Sequence, residues 1–188
     1  MKVRILFLIC FLCITCLLNA ADKPVIQIHT DNSSLIFHVA DNGRLYQSYL
    51  GKKLNHETDI SHLPQGTEAY ITHGMEDYFE PAIHILHNDG NPSLLLKYVS
   101  HETKAVSQGV NETIITLGDD KYPVTVKLHY VTYPAEDIIK TYTEISHKEK
   151  KPVVLHQYAS SMLHLNRAKY YLTEFSGYWA HEANISDQ

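Results

Sequence analysis

A period-two alternation of apolar and polar residues is the feature that most constrains this chain. Residues 124–130 carry apolar side chains at the even positions and polar ones at the odd positions. Successive side chains of a β-strand point to opposite faces, so this pattern predicts a strand with one face in a core. Similar short segments recur along the chain, whereas helical periodicity is hard to find. The pattern therefore favours an all-β protein.

Turn-forming residues separate these segments. The run Asp41-Asn42-Gly43 joins segments 34–39 and 45–50 and predicts a hairpin. Further strands are predicted at 82–87, 94–101, 112–117, 124–130, 138–147, 152–165 and 170–179. The segment at 152–165 is long and apolar, which predicts a central strand, while the polar residues 52–68 predict a loop. Strands joined by turns without crossover helices predict an antiparallel β-sandwich.

The first twenty residues predict a signal peptide and are excluded from the fold. Lys2 and Arg4 precede an uncharged apolar stretch that ends in small residues before Ala21. An uncleaved membrane anchor is the alternative. Removal of residues 1–20 would leave one domain, 21–188, with no cysteine, because all three cysteines lie in the apolar stretch. We therefore expect an exported protein of the periplasm, cell surface or extracellular space, with no membrane contact after processing and no disulfides.

Charge and aromatic content narrow the classes of partner. Sixteen basic residues stand against 21 acidic ones, which gives a formal net charge of −5. This balance predicts no binding to nucleic acid or to anionic lipid. Thirteen tyrosines suit strands, and their apolar faces and polar tips also suit sugars.

No residue pattern by itself defines a catalytic, metal or cofactor site. His84 and His87 are three apart, which on a strand predicts opposite faces, and the other histidines lie on different predicted strands. The acidic cluster of Glu76, Asp77 and Glu80 could supply one of the two carboxylates of a glycoside hydrolase, but a solvated acidic loop is the simpler interpretation. We therefore expect no metal, no cofactor and no catalytic residue in this chain.

Several segments, in order, resemble glycoside hydrolase family 36. They are the runs SLIFHV at 34–39, GRL at 43–45 and YLGKKL at 49–54, then DYFEPA at 77–82 with HNDG at 87–90, and FSGYWA at 175–180. Together they span nearly all of the chain after the leader. The resemblance implies the N-terminal β-supersandwich of an α-galactosidase, left incomplete here and cut before the (β/α)₈ barrel that carries both catalytic Asp residues. The chain alone is therefore expected to be inactive.

The resemblance also implies one sugar-contacting loop. In some oligomeric members of the family, a loop of this domain reaches the sugar site of a neighbouring subunit, with an Asp near the substrate. The matching residue here is Asp77, beside Tyr78. This chain departs from the family motif, because Glu76 replaces a small residue and Phe79 stands where Arg is common. The implied substrates are α-galactosides such as melibiose and raffinose. A stand-alone carbohydrate-binding module and an aldose epimerase-like enzyme remain as alternatives.

Overall fold

The first sheet is an antiparallel meander at the start of the domain. A computed structural model describes residues 23–75, 80–165, 173–179 and 181–187, so the predicted leader and the boundary at residue 21 lie outside the description. The strands of this sheet, in spatial and sequence order, are β1 (Val25–His29), β2 (Ser33–Val39), β3 (Leu45–Lys52) and β4 (Thr67–Glu68). The predicted β2–β3 hairpin is confirmed, and Gly43 in its turn adopts a positive φ of 78°, which glycine tolerates.

The second sheet is a four-stranded antiparallel meander built from long strands. Its order is β6 (Lys97–Ser107), β7 (Val110–Gly118), β8 (Val124–Tyr133) and β9 (Ile138–His147). The predicted alternation of β8 is confirmed, because the apolar residues at 124, 126, 128 and 130 are all buried in the core. β9 has the predicted bounds, and β6 begins and ends later than predicted.

Two further pairs of antiparallel strands complete the described strands. β5 (Ile83–Leu86) pairs with β10 (Val154–Tyr158), and β11 (Thr173–Tyr178) pairs with β12 (His181–Asp187). One short helix, α1 (Glu57–Ser61), lies within the segment predicted as a loop. Ile60, one residue before its end, lines a concavity with Ile36 on the outer face of the first sheet. Neither β1 nor β12 is among the strands predicted from the sequence.

The core lies between the two four-stranded sheets. Phe37 of β2 is fully buried, and its ring centroid lies 5.2 Å from that of Tyr130 on β8. Alternate residues of β1, β2, β7 and β8 join them in one buried cluster. Burial of one such large side chain contributes about 1.5–3 kcal/mol. The predicted all-β antiparallel sandwich is therefore confirmed.

The prediction of a long central strand at 152–165 is wrong. Only Val154–Tyr158 form a strand, and this strand lies in a two-stranded sheet. Its side chains are largely exposed, as are Leu163 and Leu165 beyond it. A long apolar segment predicts burial on both faces. Here Val153, Ala159 and Met162 are partly buried against the core, and the other apolar side chains are exposed. Among the residues that the structure describes, no helix is long and apolar enough to cross a membrane.

Candidate functional site

Asp77 and Tyr78, the residues that the motif assigns to a sugar, lie outside the described residues, as does Glu76. The structure does describe both ends of their loop. Thr72 forms a parallel bridge with Ile83, and the His73 amide donates to the Ile83 carbonyl at 3.0 Å. The amide of residue 82 also donates to the carbonyl of residue 71 at 2.7 Å. These bonds hold the two ends of the loop at 74–80 next to each other, at the start of the buried strand β5.

β10 anchors the returning end of the loop. The Gln157 side-chain nitrogen Nε2 donates to Glu80 Oε1 and to the Pro81 carbonyl, both at 2.9 Å. The outgoing end turns at Gly74, which has a φ of 83°. A Cβ at this position would lie 3.2 Å from the Ser93 Cα, so both conformation and space require glycine. The base of the loop is therefore fixed at both ends.

Three imidazole rings lie in contact beside this base, of which His73 and His84 are stacked and His156 is tilted by 37° from His84. The ring centroids of His73 and His84 are 3.7 Å apart, and those of His84 and His156 are 4.8 Å apart. Partial desolvation, followed by the neighbouring charges of His73 and His156, lowers the pKa of His84 below its ordinary value. These histidines look scattered in the sequence, because they come together only through the β5–β10 pairing and the bridge between Thr72 and Ile83. Knowledge of that pairing would have revealed them.

The opposite faces predicted for His84 and His87 are confirmed. His84 is half-buried and contacts His73 and His156, whereas His87 is buried and its ring stacks on Tyr122 with centroids 3.5 Å apart. His87 Nδ1 lies 2.7 Å from Glu149 Oε1, and Nε2 lies 3.1 Å from the Ser93 carbonyl. Since the carbonyl can only accept, Nε2 carries a proton and donates it. Contacts at both ring nitrogens fix the orientation of this buried ring.

Glu149 ties two segments together through this contact. Its Oε2 accepts from the Asn88 backbone amide at 3.0 Å and from the Asn88 side chain. Burial raises the pKa of the Glu149 carboxyl, but the hydrogen bonds from His87 and Asn88 outweigh burial and hold that pKa below its ordinary value. The pair joins the turn after β5 to the turn between β9 and β10.

A polar cavity adjoins the outgoing end of the loop. It has a volume of about 360 Å³, and Met75, the last described residue before Asp77, lines it. Lys97 and Asp120 form an ion pair in its wall. Asn91 Nδ2 donates to the Tyr122 hydroxyl at 2.9 Å. These donors and acceptors are able to bond the hydroxyl groups of a sugar.

The described ranges contain no group of three or more His, Cys, Asp and Glu residues that could hold a metal ion.

The contacting histidines predict a loss of stability in acid. His84 has a lowered pKa in the folded chain, so below its unfolded value of 6.5 the unfolded chain binds the proton more readily. The free energy of unfolding should therefore fall as the pH falls through this range. His84→Asn should flatten that dependence, and His147→Asn, which changes an exposed histidine at the end of β9, should not. Urea unfolding between about pH 8 and about pH 5 measures both slopes, and equal slopes for His84→Asn and the unchanged chain would contradict the prediction.

The fold is that of solved α-galactosidases. The α-galactosidase from Lactobacillus brevis matches with a TM-score of 0.74 at 20% sequence identity, over 88% of this chain and 27% of that one. The galactosidase domain of the α-galactosidase-sucrose kinase AgaSK matches with a TM-score of 0.78 at 20% identity, over 87% of this chain and 28% of that one. The family 36 α-galactosidase AgaA from Geobacillus stearothermophilus gives 0.78 at 18% identity, over 88% of this chain and 28% of that one.

The sequence itself matches a family model. The model of the glycosyl hydrolase family 36 N-terminal domain covers residues 43–188. The chain therefore belongs to glycosyl hydrolase family 36, of which it carries the N-terminal domain, and the resemblance noted in its sequence is confirmed. It spans somewhat more than a quarter of the length of the solved α-galactosidases, at most 28%. A comparison with curated proteins found no match.

Proposed function

We propose that this chain is the N-terminal, non-catalytic part of an exported α-galactosidase-like glycoside hydrolase. The observation that supports the proposal is the family match over 43–188, together with a fold shared over 88% of the chain with an enzyme that is more than three times as long. A barrel of about 250 residues would hold the catalytic carboxylates. The intact enzyme would hydrolyse terminal α-galactosides such as melibiose and raffinose, and variants of AgaA are solved with raffinose and stachyose.

An exposed apolar surface on β10 and the residues after it supports the contact with a catalytic domain. Leu155, Tyr158, Leu163 and Leu165 are 40%, 64%, 48% and 54% exposed. Contiguous apolar surface of this kind is typical of an interface. We propose that the catalytic domain covers it.

The loop would be the contribution of this domain to the sugar site. Its described ends are fixed by backbone bonds and by Gln157, so the residues between them can present Asp77 and Tyr78 at a defined place. The site would belong to a neighbouring subunit of a homo-oligomer. A carboxylate in that position accepts hydrogen bonds from two sugar hydroxyls.

Expression of the chain together with the reading frame that follows it tests both proposals. We expect an in-frame barrel there, and a product that hydrolyses p-nitrophenyl α-galactoside. Asp77→Ala in that product should raise the KM about 10- to 100-fold with a smaller effect on kcat, because a hydrogen bond to a charged group contributes about 1.5–3 kcal/mol.

The matched control is Asp31→Ala, which changes an exposed Asp between β1 and β2. A following frame without a barrel would overturn the proposed function. An Asp77→Ala product with the KM of the unchanged enzyme would overturn the role of the loop alone.

The sequence of the leader supports export. Lys2 and Arg4 before an apolar stretch support cleavage after residue 20 and a mature domain of 21–188. We propose that the enzyme acts in the periplasm, at the cell surface or outside the cell.

The epimerase alternative gains no support from the described residues. An epimerase needs an acid and a base that reach different atoms of a sugar ring. The two buried His–Glu pairs are His87 with Glu149 and His129 with Glu112, in contact at 2.7 and 2.9 Å. Each pair bonds internally and leaves no room for a sugar between its members.

A further inference from the structure

The outer face of the second sheet carries a concavity that the proposed function does not use. Its volume is about 480 Å³, and it is lined by Val106, Glu112, Val131, Tyr133, Lys140 and Tyr142. The core takes the even-numbered residues of β8 from 124 to 130, so the odd-numbered ones lie on this outer face. All of the lining residues belong to β6, β7, β8 and β9.

A buried carboxylate forms one wall of the concavity. The Glu112 side chain is 8% exposed, and its Oε1 accepts from the Tyr142 hydroxyl at 2.6 Å and lies 2.9 Å from His129 Nδ1. Lys104 Nζ lies 3.0 Å from Oε2. The Tyr142 hydroxyl first, then His129 and Lys104, lower the pKa of Glu112 to about 2. Glu112 is therefore ionised at any physiological pH and has a fixed orientation.

The same contacts fix an aromatic ring. Tyr142 is paired with His129 across β8 and β9, and the two rings stack with centroids 4.2 Å apart and planes 14° from parallel. The hydroxyl is held by Glu112. Yet the ring is 38% exposed. A partly exposed aromatic ring with both its plane and its hydroxyl fixed loses little conformational entropy when a ligand binds to it.

The network has one unsatisfied atom that packing alone does not explain. His129 is buried, and its Nε2 has no hydrogen-bond partner among the described residues, with Glu144 Oε2 at 3.7 Å. A buried polar atom without a partner costs about 1–3 kcal/mol. That cost is tolerated where a residue serves another purpose, which here is to hold Tyr142 and Glu112 in place.

We propose that this concavity is a second, non-catalytic saccharide subsite. Tyr142 and Tyr133 offer aromatic faces for the C–H face of a pyranose, while Glu112 accepts from sugar hydroxyls and Lys140 donates to them. Glu112 and Glu144 pair with Lys104 and Lys127, and Lys140 adds one further positive charge, so the net local charge is small. The chemistry therefore suits a neutral polyhydroxyl ligand better than an ion. The concavity is open to solvent, so the Kd should be on the order of millimolar.

A titration of the full chain with raffinose, followed by the shifts of backbone amide signals in NMR, tests the subsite. We expect saturable shifts at Val106, Val131 and Lys140. Tyr142→Ala should weaken binding about 3- to 10-fold, the change that corresponds to an aromatic contact of about 0.5–1.5 kcal/mol. Lys140→Ala, which changes an exposed side chain and keeps the Glu112 network, should weaken it about 2- to 5-fold.

Two control variants test whether raffinose binds in the concavity and not elsewhere on the domain. Tyr158→Ala removes a tyrosine that is 64% exposed on β10, outside the concavity, and should leave raffinose binding unchanged. Asp31→Ala, which changes an exposed Asp between β1 and β2, should also leave it unchanged. The titration uses the chain without a catalytic domain, so failure of the proposed function does not affect this test. Absence of saturable shifts would overturn the subsite. Binding that Lys140→Ala leaves unaltered, or that Tyr158→Ala weakens equally, would overturn it too.

Discussion

Replacement of Glu149 by alanine is expected to lower the free energy of unfolding by about 3–5 kcal/mol, because it removes one partner of a buried His–Glu pair. The side chains of His87 and Glu149 are 0% and 2% exposed. The substitution also removes the acceptor for two nitrogen groups of Asn88. Two turns that are distant in the sequence would lose their connection. For a domain that is stable by about 5–15 kcal/mol, this loss is a large part of the total.

Urea unfolding of the full chain measures the effect. The matched control is Glu136→Ala, which removes an exposed glutamate from the turn between β8 and β9 and should change the free energy by at most about 0.5 kcal/mol. The midpoint for Glu149→Ala should fall at a nearly unchanged slope. Equal midpoints for the two variants would show that the pair does not stabilise the fold.

The strands that the sequence predicts well are those with one face in the core. β8 and β9 alternate clearly, and the Asn42-Gly43 turn marks the β2–β3 hairpin. The prediction for the segment around β10 was wrong because an apolar segment has the same sequence pattern whether a neighbouring sheet or another domain covers it. In this structure its residues are exposed, and we propose that a catalytic domain covers them.

The candidate sites also differ in how far the sequence predicts them. Asp77 and Tyr78 come from a motif that is continuous in the sequence, and their own placement lies outside the described residues. The contacting histidines and the Glu112–His129–Tyr142 network depend on strand register, which sets His129 opposite Tyr142 and β5 beside β10. Composition and spacing do not determine register. The alternation on β8 did place His129 on the outer face, and that was the one available signal.

We propose that this chain carries no catalytic carboxylates of its own. The measurement is hydrolysis of p-nitrophenyl α-galactoside by the purified chain from a host without α-galactosidase, beside the family 36 enzyme AgaA as positive control. Enzymes accelerate such reactions by about 10⁶-fold or more, so presence and absence of catalysis are well separated. We expect release of p-nitrophenol at the rate of the buffer blank. Turnover at an enzyme-like rate, proportional to the concentration of the chain, would contradict the claim.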